Sequence, residues 1–189
     1  MNKYLIVIII LFAILTVFEI VLSQMKKRCY NQLMSFLMEK KINQFDELLS
    51  RKSTKFFVPV YNSIFLNVNK AMMMGDCNLI EKLMDDAKNI RMNDKQKIHL
   101  YSNVFSYFLS KKDEEKCKKY YEEVIMLKDS PIKEYIEMVY DTFINKGYKY
   151  IYKAEKMLLS VSDQDKENIE TLIETMRLNK VNNIQRLGK

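Results

Sequence analysis

The chain has 189 residues, of which 48% are apolar, and it carries a formal net charge of +7. This length suits one folded domain with an appendage. Three Gly and two Pro are too few for the many turns of a β-sandwich or β-barrel, or for a glycine-rich phosphate-binding loop. The composition therefore predicts an all-α protein.

The first predicted element is an apolar run over residues 4–23, in which Glu19 is the only charged residue. A helix needs roughly 20 mostly apolar residues to cross a bilayer core of about 30 Å. We therefore predict a signal-anchor segment over 1–23 that contacts the membrane through 4–22. A cleaved signal peptide ending at Ser23 is the alternative.

Basic residues on the two flanks of this segment predict its orientation. Lys3 stands before it, whereas Lys26, Lys27 and Arg28 follow it directly. The positive-inside rule then keeps the C-terminal part in the cytoplasm, which predicts a single-pass protein of the cell membrane. Three cysteines without CxxC spacing indicate neither a disulfide framework nor a zinc site, in agreement with a reducing compartment.

The positive charge is concentrated in a basic juxtamembrane segment, residues 24–60, with eight Lys and Arg against three Asp and Glu. From residue 61 onward, 22 basic residues nearly balance 20 acidic ones. This placement favours anionic lipid head groups over a topology signal alone, and it predicts no specific nucleic-acid partner. The candidate head-group ligands are Lys26, Lys27, Arg28, Lys40 and Lys41.

An apolar pattern recurs at a spacing of 37 residues in the octets that begin at Ile80, Cys117 and Ala154. In IEKLMDDA, CKKYYEEV and AEKMLLSV, the first, fourth, fifth and eighth positions are apolar, which on a helix places them on one face. FDELLSRK from Phe45 is a degenerate first copy within the juxtamembrane segment. The spacing predicts a helical repeat.

Another amphipathic run precedes each octet, over residues 61–74, 97–109 and 132–145. The two runs of each pair are separated by breaks at Gly75, Lys111 and Gly147, and a glycine at a helix end accepts the left-handed conformation. Antiparallel hairpins at this period would stack into a repeat domain over 61–178, followed by a polar tail over 179–189. Ser130-Pro131 and Ser162 predict helix starts, the last one opening a capping helix.

The octets place small, large and small apolar residues at spacings of four and three, and here the chain resembles the tetratricopeptide-repeat family over roughly residues 40–178. The family's first-helix tryptophan is missing, and the period is 36 to 37 residues rather than 34. The resemblance implies a tetratricopeptide-like α-solenoid that binds a protein or peptide in a concave groove. An irregular helical bundle is the alternative. The matching residues are Ile80-Met84-Ala87, Cys117-Tyr121-Val124 and Ala154-Leu158-Val161.

Residues for catalysis are scarce. His99 is the only histidine, so neither a histidine-based metal cluster nor a Ser-His-acid triad with a second histidine can be assembled. The paired acids Asp85-Asp86 and Glu122-Glu123 fall on or near polar helix faces. We therefore predict no catalytic, cofactor-binding or metal-binding residues and no enzyme activity.

Seven of the twelve tyrosines lie between Tyr120 and Tyr152, and the run ends in KGYKYIYK. Tyrosine combines rigid contact area with a polar tip, which suits binding surfaces, although core packing explains several of these residues equally well. On a helix, Tyr148 and Tyr152 would share a face, whereas Tyr150 would point elsewhere. Of the three, we expect Tyr150 to be the one exposed for binding. The alternation of residues also fits a short strand. Flexible thioethers add Met72 and Met73 as candidate partner-binding residues.

These features together predict a non-enzymatic, membrane-anchored adaptor or scaffold that binds a protein or peptide, with homo-oligomerisation also open. The alternative is a secreted or outward-facing helical protein with a structural or self-assembling role.

Overall fold

Ten helices and no strand make up residues 3–187, the part of the chain that the computed structural model describes; side chains are described for 11–162 and 166–186. The all-α prediction is therefore confirmed. The helices are α1 Lys3–Met38, α2 Ile42–Ser50, α3 Lys52–Phe57, α4 Val60–Met74, α5 Cys77–Lys88, α6 Asp94–Ser110, α7 Glu114–Ile125, α8 Pro131–Phe143, α9 Ile151–Leu158 and α10 Asp163–Leu187.

The helices form two compact units, the first ending at Arg91 and the second beginning at Met92. In the first unit, the C-terminal half of α1 packs against α2, α3 and α4, and α4 packs against α5. The segment of α1 beyond the apolar run is thus part of a folded core. The buried residues of this core are Leu33, Leu37, Phe45, Val58 and Leu66.

The turn between α4 and α5 lies at Gly75, where the sequence places the first break. Gly75 caps α4 with φ 71°, in the left-handed region that favours glycine. The next residue, Asp76, caps α5 by accepting a hydrogen bond from the Leu79 N–H at 3.0 Å. The octet positions Ile80, Met84 and Ala87 are buried, so this helix presents the face that its spacing predicts.

In the second unit, α6 packs against α7 as its pattern predicts, and α8 packs against both. The octet positions Cys117, Tyr120 and Val124 are buried on α7. Ser130 caps α8, with Pro131 in the first turn, by accepting a hydrogen bond from the Lys133 N–H. Asn93 and Gln96 form a reciprocal capping box at the start of α6 that the sequence analysis did not single out.

The third predicted pair departs from this pattern, because α9 packs mainly against α10 rather than against α8. α9 has only eight residues, and Ala154 is its one fully buried side chain among those described. The connection before it also differs, since Lys146 takes the left-handed conformation with φ 54° in place of Gly147. Likewise Lys112, not Lys111, is left-handed after α6.

Two predicted boundaries fall inside helices. α1 is continuous across residues 23 and 24, and α10 continues to Leu187 through most of the predicted polar tail. In the part of the chain that is described, no helix combines the length and apolar character needed to cross a bilayer. Residues 1–10 of the predicted anchor lie outside the described side chains.

Candidate functional site

An exposed apolar surface covers α1 from Leu11 to Val21, where each residue is exposed to solvent. Polar groups interrupt it only at Thr16 and Glu19, and the Thr16 hydroxyl donates to the Phe12 carbonyl oxygen at 2.8 Å. A contiguous apolar surface of this kind is rare on soluble monomers. Its large side chains are Leu11, Phe12, Ile14, Leu15, Val17, Phe18, Ile20 and Val21.

The candidate head-group ligands fall into two groups, one on α1 and one just after its C-terminal end. Lys26, Lys27 and Arg28 are exposed on consecutive residues, and none of them pairs with a carboxylate in the described part of the chain. Lys40 and Lys41 lie past the other end of the helix; at about 1.5 Å per residue, Met38 is already roughly 16 Å beyond Lys27.

The second of these groups includes a local ion pair. Lys41 Nζ lies 2.5 Å from Glu39 Oε2, and the Ser35 hydroxyl donates to Glu39 Oε1 at 2.7 Å. The hydrogen bonds from Lys41 and Ser35 lower the pKa of Glu39. Lys41 is therefore already matched by a carboxylate, whereas the Lys26–Arg28 group is not.

The candidate methionines lie in the last turn of α4, within the first unit. Met72 is half-buried, and Met73 is exposed, as is the neighbouring Met74. The candidate tyrosines belong to the second unit. The two sets are thus features of different units.

The KGYKYIYK segment forms the connection from α8 to α9 and the first turn of α9, without a strand. α9 starts immediately after Tyr150, so the three tyrosines do not share one helix. Tyr152 is 81% exposed, Tyr148 is also exposed, and Tyr150 is half-buried. Tyr150 is therefore less exposed than Tyr148 and Tyr152, the reverse of the expected order.

Tyr150 instead lies among charged and aromatic neighbours. Lys149 Nζ sits 4.7 Å from the centre of the Tyr150 ring, and the hydrogen bond with Tyr150 raises the pKa of Lys149. Tyr121 on α7 stacks on Tyr140 of α8, with ring centres 3.8 Å apart and planes within 4°. Burial, with smaller effects from Glu137 and Tyr150, raises the pKa of Tyr121.

We call Tyr121, Tyr148, Tyr150 and Tyr152 the tyrosine surface. Tyr121 was missed as a candidate because its position in the repeat predicts core packing. In the structure Tyr121 is half-buried, and it stacks on Tyr140, 19 residues away in the chain. The sequence pattern around Tyr121 does not predict this contact, because it joins two different helices.

The connection that carries the tyrosines is held by buried polar groups. Asp141 is buried on α8; its Oδ1 lies 3.8 Å from Lys149 Nζ, and its Oδ2 has no hydrogen-bond partner among the residues that the structure describes. The Gly147 N–H donates to the Asp141 carbonyl oxygen at 2.7 Å. Asn179 on α10 donates to the carbonyl oxygens of Thr142 at 2.9 Å and Gly147 at 3.1 Å. Hydrogen bonds from α10 and within the turn therefore tie the connection that carries the tyrosines to the end of α8.

The residue types that the sequence analysis considered for catalysis have these positions among the described side chains. The described side chains contain no group of three His, Cys, Asp or Glu arranged to hold a metal ion. His99 is exposed on α6. Burial, helped by the charges of Asp113 and Glu114, raises the pKa of the Cys117 thiol to about 11, which disfavours the nucleophilic thiolate.

Comparison with known proteins yields no similarity on which a family could be based. No protein-family model, curated protein or solved structure matches this chain.

Proposed function

We propose that this chain is a single-pass protein of the cell membrane and that its helical units act as a non-enzymatic adaptor or scaffold for a protein or peptide. The proposal depends mainly on one observation: α1 runs without interruption from the exposed apolar surface into the core of the first unit. One helix would therefore connect a bilayer to a folded domain.

The free-energy balance favours an anchor. Transfer from water to hydrocarbon stabilises each large apolar side chain by about 2 kcal/mol, and eight of them are exposed between Leu11 and Val21. A charged residue at mid-bilayer costs roughly 3 kcal/mol, and Glu19 lies near the end of the run, where its carboxylate can reach the interface. The apolar gain exceeds this cost several-fold.

The orientation with the helical units in the cytoplasm is supported by Lys26, Lys27 and Arg28, which have no carboxylate partner among the described residues. A reporter fused to the C-terminus tests the orientation, and extraction of membranes at alkaline pH tests the anchor. We expect a cytoplasmic reporter to be active and the protein to resist extraction from membranes at alkaline pH. Activity of a reporter that functions only outside the cell would overturn the orientation, and extraction would overturn the anchor.

The partner surface that we propose is the tyrosine surface of the second unit. Tyrosine side chains have few rotatable bonds and lose little conformational entropy on binding, and tyrosine is enriched among residues that dominate binding energy. The packed pairs α4–α5 and α6–α7 support a tetratricopeptide-like repeat, although α9 departs from it. A protein or peptide is the expected partner.

Cross-linking in living cells followed by mass spectrometry tests this surface. We expect Tyr148→Ala/Tyr152→Ala to lose a partner that the unaltered chain captures, while circular dichroism shows that the helices persist. Met126→Ala is the matched control, because Met126 is exposed in the same unit but lies at the end of α7. Capture of only further copies of this chain would instead favour self-assembly, and equal capture by both variants would exclude the tyrosine surface.

A further inference from the structure

We propose that α3 is a second membrane contact, in which Lys52 and Lys55 meet anionic lipid head groups and Phe56 enters the interface. This inference depends on the proposed anchor in α1. The charge of the juxtamembrane segment does not show which of its helices would contact lipid, and this inference names the six-residue helix α3.

The position of α3 beside α1 is the first argument. Thr54 is the buried residue of α3, and its Oγ1 lies 3.7 Å from Cys29 Sγ on α1. Cys29 follows the Lys26–Arg28 group directly and is six residues past Ser23. At about 1.5 Å per residue, this level is roughly 9 Å beyond the apolar run.

A distance of this size corresponds to the edge of the lipid head groups. The polar layer on each side of the hydrocarbon core is about 5 to 8 Å thick. Lysine side chains on α3 can span the remaining gap because their flexible stems extend several ångströms from the backbone. A membrane that contains α1 would therefore come within reach of α3.

The side chains that α3 leaves exposed suit such a surface. Phe56 is 72% exposed, and its ring meets that of Phe57 edge-on at a centre distance of 5.3 Å. Val60, which begins α4, is exposed as well. Amphipathic helices that combine Lys or Arg with Phe bind at the boundary between head groups and acyl chains.

Charge is the second argument. Lys52 and Lys55 are exposed, and no described carboxylate pairs with either of them. Each of the nearby acids pairs with another cation, so the unpaired cations described between residues 24 and 60 are Lys52 and Lys55 on α3, the adjacent Lys26–Arg28 group and Lys40. Anionic lipids attract such residues with about 1 kcal/mol for each Lys or Arg near the surface. The three occupied acids pair as Glu39 with Lys41, Asp46 with Lys70 and Glu47 with Arg51.

An acidic protein is the competing occupant for a basic and aromatic patch. The lipid surface is favoured because the Cys29–Thr54 contact holds α3 at the level where the anchor leaves the bilayer. A lipid surface is present there whenever α1 is inserted, whereas nothing on this patch selects a particular protein.

The absence of tryptophan from the chain allows a direct test. Phe56→Trp introduces a single indole on α3, and Met38→Trp introduces a matched one at the far end of α1, where Met38 is 79% exposed. Met38 lies about 14 Å beyond Cys29 along the helix. The full chain carrying either substitution is reconstituted into phosphatidylcholine vesicles with phosphatidylserine and with brominated acyl chains.

We expect bromine to quench the Phe56→Trp variant and its emission to shift to shorter wavelength, with neither change in the Met38→Trp variant. Adding Lys52→Gln and Lys55→Gln to Phe56→Trp should reduce the quenching, as should high salt, because screened head-group attraction weakens. Equal quenching of the two tryptophan variants, or quenching of neither while the chain floats with the vesicles, would overturn the role of α3 and leave the anchor intact. Failure of the chain to float with the vesicles would overturn the anchor and this inference together.

Discussion

At the scale of single residues, position 147 requires glycine because a larger side chain has no room there, and not because of its backbone conformation. A Cβ on Gly147 would overlap the carboxylate of Asp141, which is buried, whereas a Cβ on Gly75 would meet nothing within 4 Å. We predict that Gly147→Ala lowers the free energy of unfolding in urea by about 1–3 kcal/mol through overpacking. Combining it with Asp141→Ala should recover part of the loss, since the two sites touch.

Gly75 provides the contrasting case for the same substitution. With φ 71° and open space around it, Gly75→Ala should cost about 1–2 kcal/mol from left-handed strain alone. Gly75→Asn should cost less, because asparagine tolerates this conformation. An equal cost for Ala and Asn at this position would contradict the conformational explanation.

Cys117 allows a prediction about pH. Burial raises its pKa to about 11 from a usual 9.0, so the folded chain keeps the thiol protonated where the unfolded chain ionises it. The stability that depends on the neutral thiol is complete below pH 9.0 and is lost as the pH rises toward 11.

Alkylation by iodoacetamide at pH 8, detected by mass spectrometry, measures how much the fold suppresses ionisation of the Cys117 thiol. We expect Cys77, which is half-buried, to react and Cys117 to stay unmodified until urea unfolds the second unit. Similar rates for the two thiols in the folded chain would contradict this prediction.

At the scale of the helices, the C-terminal half of α1 should contribute to folding as well as to anchoring. Leu33 is fully buried in the core of the first unit, so Leu33→Ala should lower the free energy of unfolding by about 2–5 kcal/mol. Met38→Ala, on the exposed last turn of the same helix, should change it little. Equal small effects in a urea titration followed by circular dichroism would mean that α1 is not part of this core.

The attachment of α10 to the end of α8 depends on Asn179. Loss of its amide leaves the carbonyl oxygens of Thr142 and Gly147 without these donors, and Asn179→Ala should cost about 1–2 kcal/mol. Asn182→Ala is the matched control on the same helix, because Asn182 is exposed. Thermal unfolding of the two variants measures the difference, and a larger effect at Asn182 would argue against this attachment.

Sequence periodicity predicted the helices better than their partners. The octet at Cys117 predicts the buried Cys117, Tyr120 and Val124, because a helix face is determined by residues three and four apart. The octet at Ala154 has the same outline, yet α9 packs mainly against α10. That choice depends on residues distant in the chain, including the Asn179 contacts that hold the connection before α9.

At the scale of the whole molecule, the division into two units predicts where the chain is cut first. The residues that join α5 to α6 lack regular helical structure, and Arg91 is exposed among them. An arginine-specific protease should therefore cleave after Arg91 before it cleaves within helices, giving fragments of residues 1–91 and 92–189. Arg91→Gln should abolish that early cut, whereas a first cut at Arg177, inside α10, would contradict the division.

The sequence by itself determined the all-α class, the helix starts at Ser130 and the break at Gly75, because these depend on local periodicity, capping and backbone freedom. Only the tertiary structure decided that Lys146 turns the chain before α9, that Tyr150 is half-buried and that α3 lies beside Cys29. Each of these follows from packing between segments far apart in the chain, and such contacts leave no periodic trace in the sequence.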